Sequence, residues 1–95
     1  MSKLLVYAKL LAKEGEGFEK SGEEEETIPK YIKVVDILLI LAEAAPTYPD
    51  WSYYISKAEF YQKRAKLLLA RLSMKRENSE NVNLKKSVVT ALSSG

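Results

Sequence analysis

Apolar residues recur along the chain at alternating intervals of three and four, which is the spacing of one face of an α-helix. In the first part of the chain this stripe begins at Leu4 and passes through Gly15 to Gly22. Gly15 lies on the stripe, where a missing side chain lets a neighbouring helix approach closely, whereas Gly17 lies off it and only weakens the helix. Gly22 is placed to end the helix in a left-handed cap. The pattern predicts a first helix over residues 2–21.

The middle of the chain carries two adjacent apolar stripes. Pro29 is tolerated in the first turn of a helix and Pro46 stops the pattern, which predicts a second helix over residues 28–45. The first stripe predicts the core face and consists of Ile28, Tyr31, Val35, Leu38, Ala42 and Ala45. The second stripe consists of Val34, Ile37, Leu41 and Ala44. Since two stripes exceed one buried face, we expect the second to contact further structure or a partner.

Two prolines mark a turn before the third predicted helix, which covers residues 51–74 with Asp50 as its N-cap. Beside its core face runs a stripe that mixes apolar and guanidinium groups: Tyr53, Phe60, Arg64, Leu67 and Arg71. Residues 75–95 begin with a polar, turn-prone stretch, which predicts a flexible linker that can contain one more short helix. No strand-like alternation of useful length occurs. The sequence therefore predicts an all-α, antiparallel three-helix bundle with a flexible C-terminal tail.

Composition limits the chemistry of the chain. Its 95 residues form one small core and include no cysteine and no histidine, which removes thiolate chemistry, the commonest metal ligand and the usual general base. The glutamates crowd into a solvent-facing turn rather than a pocket that could tune their pKa values. No Gly-x-x-x-x-Gly-Lys-Ser/Thr loop for nucleotide phosphates occurs. We therefore expect no enzyme activity, no metal and no cofactor.

The sequence carries no evident targeting signal. Lys9 and Lys13 interrupt the apolar opening, and no small-residue cleavage site follows. The most apolar stretch, residues 34–45, contains Asp36 and Glu43 and falls short of the ~20 apolar residues that span a membrane. We expect a cytoplasmic protein.

The net charge of +2 hides an uneven distribution. Residues 14–26 contain seven glutamates and one lysine, whereas residues 57–76 contain seven lysines and arginines and one glutamate. Such a basic face could bind nucleic acid or an acidic membrane surface. The glutamate-rich turn would repel a long polyanion, so we favour a solvated face and expect no nucleic-acid partner.

The segments "YAKLLAKEGEGFEKSGEEEETIPKY" and "YQKRAKLLLARL" resemble the microtubule-interacting-and-trafficking (MIT) domain, and the resemblance covers residues 4–72. The residues that hold the family pattern are Ala8, Glu19, Lys20, Tyr31, Tyr61, Arg64, Ala65 and Leu68. Gly15 replaces the usual alanine of the pattern, Thr27 replaces the usual small residue, and Pro29 is unusual in it. The resemblance implies a three-helix binding module and not an enzyme.

Domains of this family lie at the N-terminus of the vacuolar-protein-sorting AAA ATPase and capture C-terminal motifs of ESCRT-III subunits. The resemblance therefore implies ESCRT-III-like tails as partners, and recruitment of an attached ATPase for membrane remodelling, protein transport or cell division. It implies only indirect membrane contact and a monomeric isolated domain. The segment "KKSVVTALSSG" resembles the stretch before the ATPase domain. Tyrosine and isoleucine enrichment without cysteine fits a thermophilic archaeal source.

Family ligands use two grooves. A helical motif lies between helices 2 and 3, where we expect contacts from Val34, Ile37, Leu41, Phe60, Arg64 and Leu67. An extended, proline-containing motif lies between helices 1 and 3, where we expect contacts from Tyr7, Leu10, Leu11, Glu14, Lys66 and Ala70. Helical ligands of the family typically bring basic residues to carboxylates on helix 3, where this chain has Gln62, Lys63 and Lys66. The like charges of the two lysines would oppose such a ligand. We favour the extended motif, with an acidic helical motif as the other option.

Two interpretations without a foreign ligand stay open. The second stripe of helix 2 can thicken the core of a purely structural bundle. Alternatively, the chain dimerises through Val34, Ile37 and Leu41.

Overall fold

The structure is a computed structural model that describes the backbone of residues 2–94 and the side chains of residues 2–75. It contains three α-helices, α1 (Lys3–Lys20), α2 (Glu24–Glu43) and α3 (Tyr48–Ser94). The middle helix, α2, packs against both α1 and α3. Short turns join consecutive helices, and the predicted antiparallel three-helix bundle is confirmed.

Helix α1 ends in a Schellman motif centred on Gly22. The N–H of Glu23 donates to the carbonyl of Phe18 at 2.8 Å, and the N–H of Gly22 donates to the carbonyl of Glu19 at 3.0 Å. Gly22 has a φ of 78°, a left-handed conformation that glycine adopts without a steric penalty. The predicted cap is confirmed, and the predicted end of the helix differs from the observed end by one residue.

Helix α2 begins at Glu24, four residues before its predicted start. Three glutamates occupy its first turn, where they interact favourably with the positive end of the helix dipole. Thr27 is inside the helix and fully buried, and its hydroxyl donates to the carbonyl of Glu23 at 2.9 Å. The helix therefore begins within the glutamate run, whereas the positions of the prolines predicted a start at residue 28.

Helix α3 begins at Tyr48, three residues before its predicted start, and continues to Ser94. Its backbone is thus helical over residues 75–94, within the segment predicted as a linker with a possible short helix. No proline or glycine occurs between Asp50 and Ser94, so neither of the residues that interrupt helices most strongly is present.

Three of the four residues in the second apolar stripe of α2 belong to the core. Val34, Ile37 and Leu41 are only 1%, 3% and 9% exposed, and they form one cluster with Ala8 of α1 and Ala58 of α3. Because α2 is central, it needs a broad apolar face to cover two neighbours. The expectation that Val34, Ile37 and Leu41 face a partner or a second copy is therefore wrong, because they thicken the core, whereas Ala44 of the same stripe is exposed.

Helices α1 and α2 pack tightly against each other at Gly15. A Cβ atom added to Gly15 would lie 2.6 Å from Cε1 and 2.9 Å from Cδ1 of the Tyr31 ring. Both distances are far below van der Waals contact, so Tyr31 occupies the space of the missing side chain. The close approach predicted from the stripe is confirmed.

Candidate functional site

A groove separates α1 from α3. No Cα atom of α1 lies within 8 Å of a Cα atom of α3 in the described part of the chain, because both helices flank α2 instead of packing on each other. The space between them, about 400 Å³, is named here the α1/α3 groove. Its lining residues are Leu5, Ala8, Lys9, Ala12, Lys13 and Glu16 from α1, Val34 and Leu38 from α2, and Tyr53, Lys57 and Tyr61 from α3.

The walls of the α1/α3 groove combine apolar and cationic groups. On α1, the small side chains of Ala8 and Ala12 leave space in the groove. On α3, Tyr53 and Tyr61 present aromatic rings to it. The Nζ atom of Lys57 lies 5.9 Å from the centroid of the Tyr53 ring, a distance at which a cation is attracted to an aromatic face. This combination suits an apolar ligand that carries negative charge.

One end of the α1/α3 groove is crossed by a contact between α1 and α3. The carboxylate of Glu19 forms an ion pair with the guanidinium of Arg64 and accepts a hydrogen bond from the Tyr31 hydroxyl at 2.8 Å. The Glu19 side chain is 17% exposed, so water screens these interactions only in part. Glu19 therefore ties α1 to both other helices at a single carboxylate.

Two tyrosines close to the contact between Glu19 and Arg64 have raised pKa values. The rings of Tyr31 and Tyr61 are 5.2 Å apart between centroids. Burial raises the pKa of the Tyr31 hydroxyl above its ordinary value of 10.0, and the charge of Glu16 raises it further. Burial is likewise the main cause that raises the pKa of Tyr61, followed by the charge of Glu16. The folded bundle thus favours the neutral phenol at both positions.

We expect the bundle to lose stability in alkali through these two tyrosines. Because the pKa of each is raised on folding, its contribution is complete below the unfolded value of about 10. That contribution is lost as the pH rises through the folded value, at a rate of at most about 1.4 kcal/mol per pH unit for each proton. Urea unfolding between about pH 9 and about pH 11 measures this loss.

A matched pair of variants isolates the tyrosine contribution from that of other groups. Tyr61→Phe removes one of the two phenols, so its stability should fall less steeply with pH than that of the unmodified chain. Tyr48→Phe changes a side chain that is 74% exposed and should leave the slope unchanged. Identical slopes for all three chains would contradict the prediction.

The residues predicted for the groove between helices 1 and 3 do not line it. Leu11 is buried in the core, and Tyr7 and Leu10 are exposed elsewhere on α1. Glu14 pairs with Lys30 of α2 at 2.8 Å. The remaining two residues of that set also lie elsewhere: Lys66 lines the groove between α2 and α3, and Ala70 is exposed outside the α1/α3 groove. The six residues therefore do not share one groove in the structure.

The residues predicted for the groove between helices 2 and 3 do not line that groove either. Val34, Ile37 and Leu41 are in the core, and Val34 lies at the floor of the α1/α3 groove. Arg64 contacts Glu19 of α1. The other two, Phe60 and Leu67, are 59% and 44% exposed but line neither groove.

The groove that α2 and α3 do form is named here the α2/α3 groove. Its lining residues are Ile28, Ile32, Val35, Asp36, Leu39, Gln62, Ala65, Lys66 and Leu69. Ile32, Val35 and Leu39 repeat at intervals of three and four, so this stripe was visible in the sequence. Sequence reasoning passed over it because two stronger stripes lie beside it.

Most of the residues that carry the resemblance to the MIT domain form contacts between the helices. Glu19, Tyr31 and Arg64 form the contact that crosses the groove, and Tyr61 packs on Tyr31. Further along α3, two more of these residues pack with Ile28 and Tyr31 in one buried cluster: Ala65 and Leu68. Most of the pattern therefore describes how the three helices are joined.

Residues 2–75 hold no group of three histidine, cysteine, aspartate or glutamate side chains that could bind a metal ion. None of the helices, over the part that the structure describes, is long and apolar enough to cross a membrane. The chain matches no protein-family model, no curated protein and no solved structure. A functional assignment therefore depends on the geometry of the chain's own surfaces.

Proposed function

We propose that this domain is a peptide-binding module whose α1/α3 groove takes an extended, acidic, proline-containing C-terminal tail of an ESCRT-III-like protein. The observation that carries the proposal is a groove with an apolar floor and lysines on both walls. The resemblance to the MIT domain supplies the class of partner. The residues that line the groove supply the chemistry of recognition.

The shape of the groove favours an extended ligand. Val34 and Leu38 line the floor, yet they are only 1% and 3% exposed, so the groove is narrow at its base. A helix with its side chains is about 10–12 Å wide and would rest on the rim. An extended chain directs alternate side chains to one side, so single apolar groups or a proline ring can enter between the helices.

The charges of the groove favour an acidic ligand. Lys9 and Lys13 line it from α1 and Lys57 from α3, while Glu16 is the one acidic lining residue. Carboxylates on the tail would meet cations on both walls and would not need to pass the glutamate-rich turn at residues 23–26. Such complementarity contributes mainly to specificity and to the rate of association.

The affinity of a single tail should be modest. A short disordered segment loses conformational freedom when it is ordered on a small surface, and this cost leaves dissociation constants on the order of micromolar. Weak single contacts suit a module that an attached oligomeric AAA ATPase presents several times, because multivalency multiplies them. In this proposal the domain acts in the cytoplasm and recruits that ATPase for membrane remodelling, protein transport or cell division.

Charge reversal in the groove is expected to weaken tail binding at least tenfold. The variant Lys9→Glu/Lys57→Glu turns one attractive contact on each wall into a repulsive one, and each exposed contact contributes about 0.5–1 kcal/mol. Titration of the 95-residue chain with an acidic, proline-containing tail peptide, followed by chemical-shift mapping, measures both the affinity and the site. Shifts should concentrate on the residues that line the α1/α3 groove.

The matched control carries the same change of net charge elsewhere. Lys33→Glu/Lys63→Glu alters two exposed lysines that line neither groove, and it should retain the affinity to within about twofold. Equal losses in both variants would mean that only the net charge attracts the peptide. Absence of binding at millimolar peptide would overturn the proposal.

A further inference from the structure

The α2/α3 groove is a second apolar surface that no part of the described structure covers. Ile32, Leu39 and Leu69 line it and are 49%, 44% and 50% exposed. Single exposed apolar residues are ordinary, but several that line one groove indicate an interaction surface. The α2/α3 groove shares no lining residue with the α1/α3 groove, so a ligand in one leaves the other accessible.

The charges in the α2/α3 groove are balanced. Asp36 of α2 and Lys66 of α3 are its two charged lining residues. Both are exposed, and neither forms an ion pair with another residue whose side chain is described. A surface that carries one charge of each sign beside a shared apolar strip complements a copy of itself, because a two-fold axis brings each charge opposite its counterpart.

We propose that the α2/α3 groove binds a second copy of this chain about a two-fold axis, with Asp36 of each protomer opposite Lys66 of the partner subunit. A foreign helix of either sign would satisfy one of these charges and meet repulsion from the other. A second copy of the chain presents one charge of each sign at the same surface and can satisfy both. The proposed site of self-association is thus the α2/α3 groove and not the buried stripe of Val34, Ile37 and Leu41. The monomer expected from the resemblance is the state at low concentration.

The dimer would add to the proposed function without depending on it. Two α1/α3 grooves held in one particle would bind two tails or a tandem tail with a higher effective concentration. Because the contact surface is a single groove, the interface is at the small end of specific interfaces and should associate weakly.

Sedimentation of the 95-residue chain tests the proposal directly. Between about 10 µM and about 1 mM, the weight-average mass should rise from the monomer value of 10.7 kDa toward twice that value. Asp36→Lys and Lys66→Asp should each abolish the rise, since each variant places like charges opposite each other at both contacts. Thermal unfolding of the variants should match that of the unmodified chain because both positions are exposed.

Charge exchange provides the decisive control. An equimolar mixture of Asp36→Lys and Lys66→Asp should regain the rise in mass, and the double variant Asp36→Lys/Lys66→Asp should associate as the unmodified chain does. A monomer at about 1 mM would overturn the proposal, and so would a mixture that stays monomeric. Tail binding is read separately by titration, so failure of the dimer leaves the α1/α3 groove proposal standing.

Discussion

Replacing Gly15 with leucine is expected to lower the free energy of unfolding by about 3 kcal/mol or more, a large part of the stability of a small domain. Even the first added atom would lie 2.6 Å from the Tyr31 ring. That ring cannot move aside cheaply, because Tyr31 is 2% exposed, packs on Tyr61 and donates its hydroxyl proton to Glu19. The substitution therefore separates α1 from α2 or displaces a buried aromatic ring.

Gly17 provides a control two residues away on the same helix. A Cβ atom added there would meet no atom within 4 Å, and the position is exposed. Gly17→Leu should stabilise the domain by about 0.5–1 kcal/mol, because leucine has the higher helix propensity and restricts the unfolded chain. Chemical denaturation followed by circular dichroism measures both variants. Equal effects of the two substitutions would show that α1 shifts freely on α2.

Removing the Glu19 carboxylate is expected to cost about 2–3 kcal/mol. Glu19→Ala leaves the buried Tyr31 hydroxyl without its acceptor and the Arg64 guanidinium without its anion. An unsatisfied buried donor costs about 1–3 kcal/mol, and hydrogen bonds to charged groups lie in the upper part of the usual range. Loss of this carboxylate also releases α1 from α3 at the end of the groove.

Glu14 is the matched control for Glu19. It lies on the same helix and also forms an ion pair, with Lys30 at 2.8 Å, but its side chain is 55% exposed. Glu14→Ala should change the stability by no more than about 0.5 kcal/mol, since exposed pairs contribute little. Denaturation curves of the two alanine variants provide the comparison. A Glu19 variant as stable as the Glu14 variant would mean that solvent replaces both lost contacts.

The sequence predicts the fold of this chain well because each helix is indicated by a pattern of residues that are near one another in the sequence. The interval of three and four residues predicts α1 through its glycines, Gly22 predicts the cap, and Gly15 predicts the close approach. Those features depend on neighbours in sequence or on one facing helix. They do not require knowledge of where the third helix lies.

The candidate site could not be predicted in the same way. An apolar stripe shows which face of α1 meets α2, but it does not show on which side of that face α3 lies. Arg64 and Lys66 illustrate the problem, because they are two positions apart and so differ by about 200° around the helix. Assigning α3 to the wrong side exchanges them, and this happened in the prediction: Arg64 contacts α1, and Lys66 lines the α2/α3 groove.

The position of the contact between Glu19 and Arg64 also gives an estimate of the length of the α1/α3 groove. Along α1 the groove lining begins at Leu5 and ends at Glu16, just before that contact. Eleven steps of about 1.5 Å give a track of about 16 Å. An extended chain advances about 3.3 Å per residue, so about five residues span this length. If the α1/α3 groove takes a tail as proposed, its lining residues would contact about five residues of that tail.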